Sequence, residues 1–347
     1  MTGGDFPSAL LQWFDQHGRK DLPWQKNRSA YRVWISEIML QQTQVVSVIP
    51  YYNRFMERFP DLDVLAAAPI DDVLHHWAGL GYYARARNLH KAAIQITQQW
   101  GGQFSESFEN ILSLPGVGRS TAAAISSIAF KNRQPILDGN VKRVLARYHA
   151  VEGWSGERRV SDRLWQLSDA QTPYERVDDY TQAIMDLGAT VCRRAKPHCD
   201  RCPLESNCQA KQNGLVSQLP TPRPKKKIGE QNRFMLILES SEGLFIEKRP
   251  PTGIWGGLWS FPLVDDVSAV TEWFKARGIT EEPLIWMPKR RHTFTHFKLN
   301  YQPVSGLLKN PPDCVMEASQ GVWYKAATES VYGFPAPVKR LIEEYED

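Results

Sequence analysis

"LPGVGRST", residues 114–121, decides how the N-terminal part of this chain is read. Gly116 and Gly118 bracket Val117, and a polar helix start follows. One helix is expected to end near Ser113 and the next to begin near Arg119. Glycines here permit backbone conformations and close approaches that a side chain would block. The N–H groups opening the second helix lack partners inside it, so they point outward as a site for a phosphate. An ordinary helix-to-helix corner uses the same GxG pattern, and the neighbourhood has to choose between the two.

That neighbourhood is helical. "YRVWISEIMLQQTQVVSVIPYYNRFMERF" keeps apolar residues at helical spacing until Pro50, where a break is expected. "IDDVLHHWAGL", "ARARNLHKAAIQITQQW", "STAAAISSIAF" and "VKRVLARYHAV" continue the pattern. "PTPRPKKKIGEQNR" then reads as an extended, solvated, basic linker. Beyond it "RFMLILES" and "GLFIEKRP" read as a hairpin, with "LWSFPL", "HTFTHFKLNYQPVSGLL" and "GVWYKA" as further strands and "SAVTEWFKARG" and "APVKRLIEEYE" as helices. The expected organisation is an all-α domain over 1–216, a linker over 217–232 and a smaller α+β domain over 233–347, as 347 residues suggest.

A net charge of +4 leans mildly toward polyanions. No apolar run is long enough to span a bilayer and no export signal is present, so no membrane association and a reducing, cytoplasmic setting are expected. Four of the five cysteines crowd into "CRRAKPHCDRCPLESNC": Cys192, Cys199, Cys202 and Cys208, spaced C-x6-C-x2-C-x5-C. In such a setting the pattern favours a metal site over disulfides. Zinc and an iron–sulfur cluster both accept four thiolates, and spacing alone leaves both open. Cys314 stands apart and reads as a small buried residue.

Glu37 lies in an apolar helical stretch, with Val33, Trp34, Leu40 and Gln41 one turn away on either side. A carboxyl bordered this way is expected to have a raised pKa and to suit a general acid, unless it turns to solvent. Gln41 and Gln42 follow, either as a polar face or as side chains long enough to wedge into a duplex. Asp138 precedes a helix as an N-cap, which also keeps a carboxylate oriented and charged. A protonated and an ionised carboxyl form the pair expected for breaking a glycosidic bond. In "GLGYYARARN", Tyr82 and Tyr83 beside Arg85 and Arg87 either close a helical corner or meet unstacked DNA.

Taken together, "LPGVGRST" and its helical neighbours resemble the helix-hairpin-helix DNA glycosylases of the endonuclease III superfamily. "SEIMLQQTQ", "GLGYYARARN", "LPGVGRSTA", "LDGNVKRVLAR" and the cysteine loop are similar to the MutY-type adenine-specific members over nearly the whole chain. The resemblance implies a [4Fe–4S] cluster on Cys192, Cys199, Cys202 and Cys208, and a sequence-independent grip on the DNA backbone by Gly116, Val117 and Gly118. It implies that Glu37 protonates the departing adenine and Asp138 stabilises the sugar cation, while Ser120 and Asn140 position sugar and water. Gln41, Gln42 and Tyr82 become duplex wedges, Tyr82 opposite Gln41. Lyase relatives carry lysine where Ser120 stands, and a serine hydroxyl cannot form their imine. The implied reaction is therefore monofunctional hydrolysis of adenine opposite 8-oxoguanine or guanine in double-stranded DNA, with Lys142 a minor route to an abasic adduct. Such an enzyme guards against G:C to T:A transversions.

The C-terminal domain resembles a Nudix fold. Where Nudix hydrolases carry a glutamate-rich run, this chain has Thr271–Ala276 with Glu272 alone, which argues against pyrophosphate hydrolysis. Phe294, Thr295 and His296 in "HTFTHF" are instead expected to contact 8-oxoguanine, and Gly253 to approach the backbone. A glycosylase/lyase for oxidised pyrimidines is disfavoured by Ser120, and a non-catalytic mismatch sensor by Glu37 and Asp138. A monomer is expected.

Overall fold

The computed structural model describes residues 5–224, 228–280, 283–309, 321–325 and 332–346; residues 225–227 of the expected linker and Cys314 lie outside these. The chain separates into two compact units, Met1–Ala67 with Asn88–Lys225, and Ala68–Arg87 with Lys226–Asp347. The segment Ala68–Arg87, inside the stretch read as the helical domain, thus belongs to the second unit.

The helices run α1 (Phe6–His17), α2 (Ala30–Leu40), α3 (Val45–Arg58), α4 (Leu62–Ala67), α5 (Ile70–Trp77), α6 (Ala84–Trp100), α7 (Phe108–Ser113), α8 (Arg119–Phe130), α9 (Gly139–Tyr148), α10 (Arg158–Gln171), α11 (Val177–Asp186) and α12 (Gln209–Gln212). Local chemistry starts several of them. Asp5 caps α1 by accepting from Ser8 N–H at 3.3 Å, and Ser29 caps α2 by accepting from Arg32 N–H at 3.2 Å. In α8, Ala122, Ala123, Ala124, Ile125, Ser126, Ser127 and Ile128 are all buried. That helix packs on both α2 and α11, and its small residues allow the approach.

Pro50 does not break its helix. It sits inside α3, and the chain turns earlier, at 41–44, where Gln42 takes the left-handed conformation (φ 57°). The lost N–H within α3 is tolerated because Val48, Tyr52, Phe55 and Met56 bury one face of the helix on both sides of it.

The second unit is built on a sheet of β1 (Gly229–Ser240), β2 (Gly243–Lys248), β3 (Trp259–Ser260), β4 (Leu263–Val264), β5 (Ile285–Trp286), β6 (Arg290–Thr293), β7 (Phe297–Leu308) and β8 (Gly321–Tyr324). The order is β3-β2-β1-β7-β5, with β4 on β1, β6 on β7 and β8 on β2. The expected β1–β2 hairpin is present, Ser240 facing Gly243. The longest pairing is parallel, β1 with β7 from Gly229↔Phe297 to Ser240↔Leu308. It begins at Gly229 and so draws the end of the expected linker into the sheet. Helices α13 (Val267–Lys275) and α14 (Ala336–Glu346) complete the unit. Val270 and Phe274 of α13 close a core with Leu236, Leu238, Phe245 and Val304.

Candidate active site and cluster loop

The "LPGVG" turn forms as the sequence predicts. Gly116 has φ +79°, and a Cβ there would stand 2.8 Å from Asn88 Cβ, so both conformation and space demand glycine. Gly118 caps α8 without a side-chain bond, and its Cβ position is open space. Val117 turns its side chain inward at 7% exposure, leaving only backbone for any ligand.

Behind this turn lies a cavity of about 440 Å³ whose lining includes Glu37, Gln41, Gln42, Gly118, Ser120, Asp138 and Asn140. α2 supplies Glu37, α8 supplies Ser120, and the start of α9 supplies Asp138 and Asn140. Glu37 is partly exposed to the cavity, yet the protein packed around it pushes its carboxyl up to about 8, and the Asp138 charge adds to the shift. Burial also pushes Asp138 above its ordinary value, opposed by hydrogen bonds and by the Arg143 charge. Asp138 accepts from Val141 N–H at 2.7 Å and from Asn140 Nδ2 at 3.1 Å, so capping and site geometry coincide. The Ser120 hydroxyl accepts from Leu137 N–H at 3.0 Å, tying α8 to the segment that delivers Asp138.

Several lining residues were not singled out in the sequence. Arg19 donates to Asp186 Oδ1 from Nε at 2.9 Å and from NH2 at 2.6 Å, and Gln182 donates to the same oxygen at 2.9 Å. The Asp186 side chain is 1% exposed behind them, and it fixes Arg19 and Gln182, which line the cavity. Thr121 accepts from Gln41 Nε2 at 3.3 Å. The only local signal for these residues was an arginine and an aspartate 167 positions apart, which no periodicity links.

All four cysteines of the loop line one small cavity with Arg147, Tyr148 and Leu204. Among the described residues no three His, Cys, Asp or Glu side chains close on a single-ion position. Burial, with neighbouring cysteine charge adding to it, pushes the Cys202 thiol up to about 12; burial also raises Cys199 and Cys208. Four thiolates here therefore need a cationic group among them, and the donor set fits a cluster.

Two arginines of α9 hold this loop. Arg143 donates to Cys192 O at 2.6 Å, Gly188 O at 2.6 Å and Asn140 Oδ1 at 2.8 Å. Arg147 donates to Leu219 O at 2.8 Å, Arg193 O at 2.7 Å and Cys192 Sγ at 3.4 Å. Gly188 allows the approach, since a Cβ there would lie 2.6 Å from Asn140 Cβ. The available signal was Arg147 on the buried face of an amphipathic helix beside Val144 and Leu145, with Arg143 one turn earlier.

In the second unit, Phe294, Thr295 and His296 form the tip joining β6 to β7, closed by Phe294 N–H to Phe297 O at 2.9 Å. Phe294 stacks on Phe297 with centroids 4.4 Å apart, while Thr295 and His296 are exposed. Tyr82, also in this unit, is 39% exposed at φ 52°. Gln41 and Tyr82 thus fall in different units. Glu272 is exposed on α13, and Val270 and Phe274 bury the opposite face.

Residues 35–170, which hold the glycine hairpin and the two carboxyls of the cavity, match the HhH-GPD superfamily base excision DNA repair proteins. Residues 233–344 match the NUDIX domain. The adenine DNA glycosylase of Buchnera aphidicola (strain APS) is 37% identical over 345 residues, covering 99% of both chains. That of Homo sapiens is 35% identical, covering 86% of this chain and 66% of the human one. The chain belongs to the adenine DNA glycosylase family, enzymes that hydrolyse the N-glycosidic bond of a base. Among solved structures, a thermostable thymine-DNA glycosylase superposes with TM-score 0.53 at 26% identity, covering 60% of this chain and 95% of that one. An endonuclease III–DNA complex does so with TM-score 0.52 at 21% identity, covering 60% and 94%, and supports the fold of the helical unit. Among the described residues no helix is long and apolar enough to cross a membrane.

Proposed function

We propose that this chain is a monofunctional glycosylase that removes adenine mispaired with 8-oxoguanine, and with guanine, from double-stranded DNA, acting as a monomer in the cytoplasm and preventing G:C to T:A transversions. The observation that carries the reading is Glu37 raised to about 8 within the cavity it shares with Asp138. At neutral pH Glu37 holds its proton and gives it to adenine as the N-glycosidic bond breaks and the bonding electrons leave with the base. Asp138, held by Val141 N–H and Asn140, stabilises the sugar cation. Water then adds to the anomeric carbon, positioned by Asn140 and Ser120, and gives its proton to the Glu37 carboxylate left by the first step. With a hydroxyl at 120 the imine route through that position is closed, leaving Lys142 as a minor route to an abasic adduct.

Gly116, Val117 and Gly118 offer backbone N–H groups to a phosphate, the open space at Gly118 leaving room for it. Gln41, Gln42 and Tyr82 fill the space of the extruded base. Phe294, Thr295 and His296 meet 8-oxoguanine, and Gly253 approaches the backbone. Cys192, Cys199, Cys202 and Cys208 hold a [4Fe–4S] cluster, which when bound supplies a fixed cationic core for the loop. The basic side chains Arg193, Arg194, Lys196 and Arg201 of that loop are oriented by it toward phosphates.

The test is single-turnover adenine release from A·8-oxoguanine, A·G and A·T duplexes, with wild type and Glu37→Gln. Fast release from the mispairs, lost in Glu37→Gln while binding persists, is expected. No release by cluster-replete wild type leaves only a mismatch sensor. Borohydride trapping at wild-type levels of a lyase would overturn the monofunctional reading.

A further inference from the structure

The turn that carries Tyr82 is built by its own residues. Trp77 Nε1 donates to Gly81 O at 3.1 Å, and Arg85 NH2 donates to the same oxygen at 3.2 Å. The Arg85 guanidinium lies 5.1 Å from the Tyr82 ring centroid and 5.5 Å from that of Trp77. Tyr82 is therefore fixed in a left-handed conformation that a tyrosine rarely adopts unaided.

The turn's outer anchors lie elsewhere in the second unit, in strand β2 and in two loops. Lys248, at the end of β2, meets Asp71 of α5 at 2.8 Å and 2.9 Å through the two carboxylate oxygens. His75 Nδ1 lies 3.2 Å from Tyr332 O, and a Cβ on Gly333 would come within 3.1 Å of Leu74 O. Arg87, at the start of α6, donates from NH1 to Gly256 O. The neighbouring Trp255 is 4% exposed, with its ring 6.0 Å from His292 and 6.2 Å from Phe294. One strut thus runs from the Tyr82 turn through Arg87, Gly256 and Trp255 to the Phe294 hairpin tip.

We propose that Arg87 and Trp255, with the Asp71–Lys248 pair, are positioning residues that make the Tyr82 turn and the Phe294–His296 tip one mechanical body. Engagement of 8-oxoguanine and insertion of Tyr82 then occur as a single step. This rests on the reading of Tyr82 as a wedge and Phe294 as a lesion contact. It assigns Arg87 to the protein's own frame rather than to a phosphate. Two groups held by one rigid element share the ordering cost of binding, so loss of either removes part of the benefit of the other.

The test has two arms on the full-length, cluster-replete protein. Hydrogen exchange of the 79–87 amides is expected to quicken about tenfold or more in Arg87→Met and in Lys248→Met. Exchange in the Asp71→Lys/Lys248→Asp double variant is expected to return toward wild type, which a general loss of folding would not do. Unchanged exchange in both single variants overturns the strut. The second arm measures Kd for an A·8-oxoguanine duplex whose adenine nucleotide bears an uncleavable 2′-fluoro sugar. Tyr82→Ala and Phe294→Ala together are expected to weaken binding by about threefold less than the product of their separate effects, and to become multiplicative once Arg87 is Met. Multiplicative effects with Arg87 intact overturn the proposal. If neither substitution alone changes Kd, the wedge and lesion readings fall, while the exchange arm still reports the strut.

Discussion

A carboxyl that faces a cavity keeps a raised pKa only with protein packed behind it, and Glu37 has that packing, with the neighbouring Asp138 charge adding to the shift. The single-turnover rate is expected to be flat in mild acid and to fall as pH rises through about 8, where the acid form is lost. The same shift has a stability consequence. The folded chain binds the Glu37 proton more tightly than the unfolded chain, so this contribution is full below the unfolded pKa and is lost as pH rises toward 8. Glu37→Gln should therefore gain in Tm relative to wild type between about pH 5 and about pH 9, which a melting series measures. At Ser120 the physics is a single bond. Ser120→Ala leaves Leu137 N–H without its acceptor and is expected to cost roughly 1–2 kcal/mol, read as a lower denaturation midpoint. The carboxyls were legible in the sequence because each had a local cue, an apolar helix face for Glu37 and an N-cap position for Asp138. The bond between Ser120 and Leu137 was not, since it joins residues 17 apart through a side chain whose direction only packing sets.

At the scale of the element, the two hairpin glycines separate structure from ligand contact. Gly116→Ala places a Cβ against Asn88 at positive φ and is expected to destabilise by roughly 1–3 kcal/mol. Gly118→Ala meets open space on an extended backbone, so it should leave Tm nearly unchanged while weakening duplex affinity if a phosphate sits there. Thermal melts and binding isotherms of the two variants distinguish these roles, and a Gly118→Ala protein with wild-type affinity counts against the phosphate grip. Helix α9 is the other element where sequence and structure meet: its N-cap was readable, but its buried arginines are explained only by the carbonyls of Gly188, Cys192, Arg193 and Leu219 brought to them by the fold. Pro50 marks the converse, a residue whose strong local preference was overridden by the packing of Val48, Tyr52, Phe55 and Met56 on either side of it in the same helix.

On the scale of the molecule, the cysteine loop is secured by Arg143 and Arg147 through the carbonyls of Cys192 and Arg193, and on the proposed reading also by a cluster on its four cysteines. Without that cluster burial keeps the thiols protonated. Exchange of the 192–208 amides is expected to rise sharply on iron chelation, and adenine release to fall with it, because Asn140 shares Arg143 with Cys192. Exchange that stays slow after iron is gone would mean the loop is held by protein bonds alone.

What the sequence determined by itself was whatever depends on neighbours a few residues away: helix starts, the glycine turn, the cysteine spacing, the β1–β2 hairpin and the missing glutamates of the Nudix box. Only the tertiary structure decided the rest. The parallel β1–β7 pairing joins Gly229 to Phe297, and Ala68–Arg87 packs into the unit that resumes at Lys226. The Arg19–Asp186 bonds join residues 167 positions apart along the chain. Such contacts are selected by burial and by hydrogen-bond satisfaction across long stretches of chain, and no periodicity within a segment records which distant partner will satisfy them.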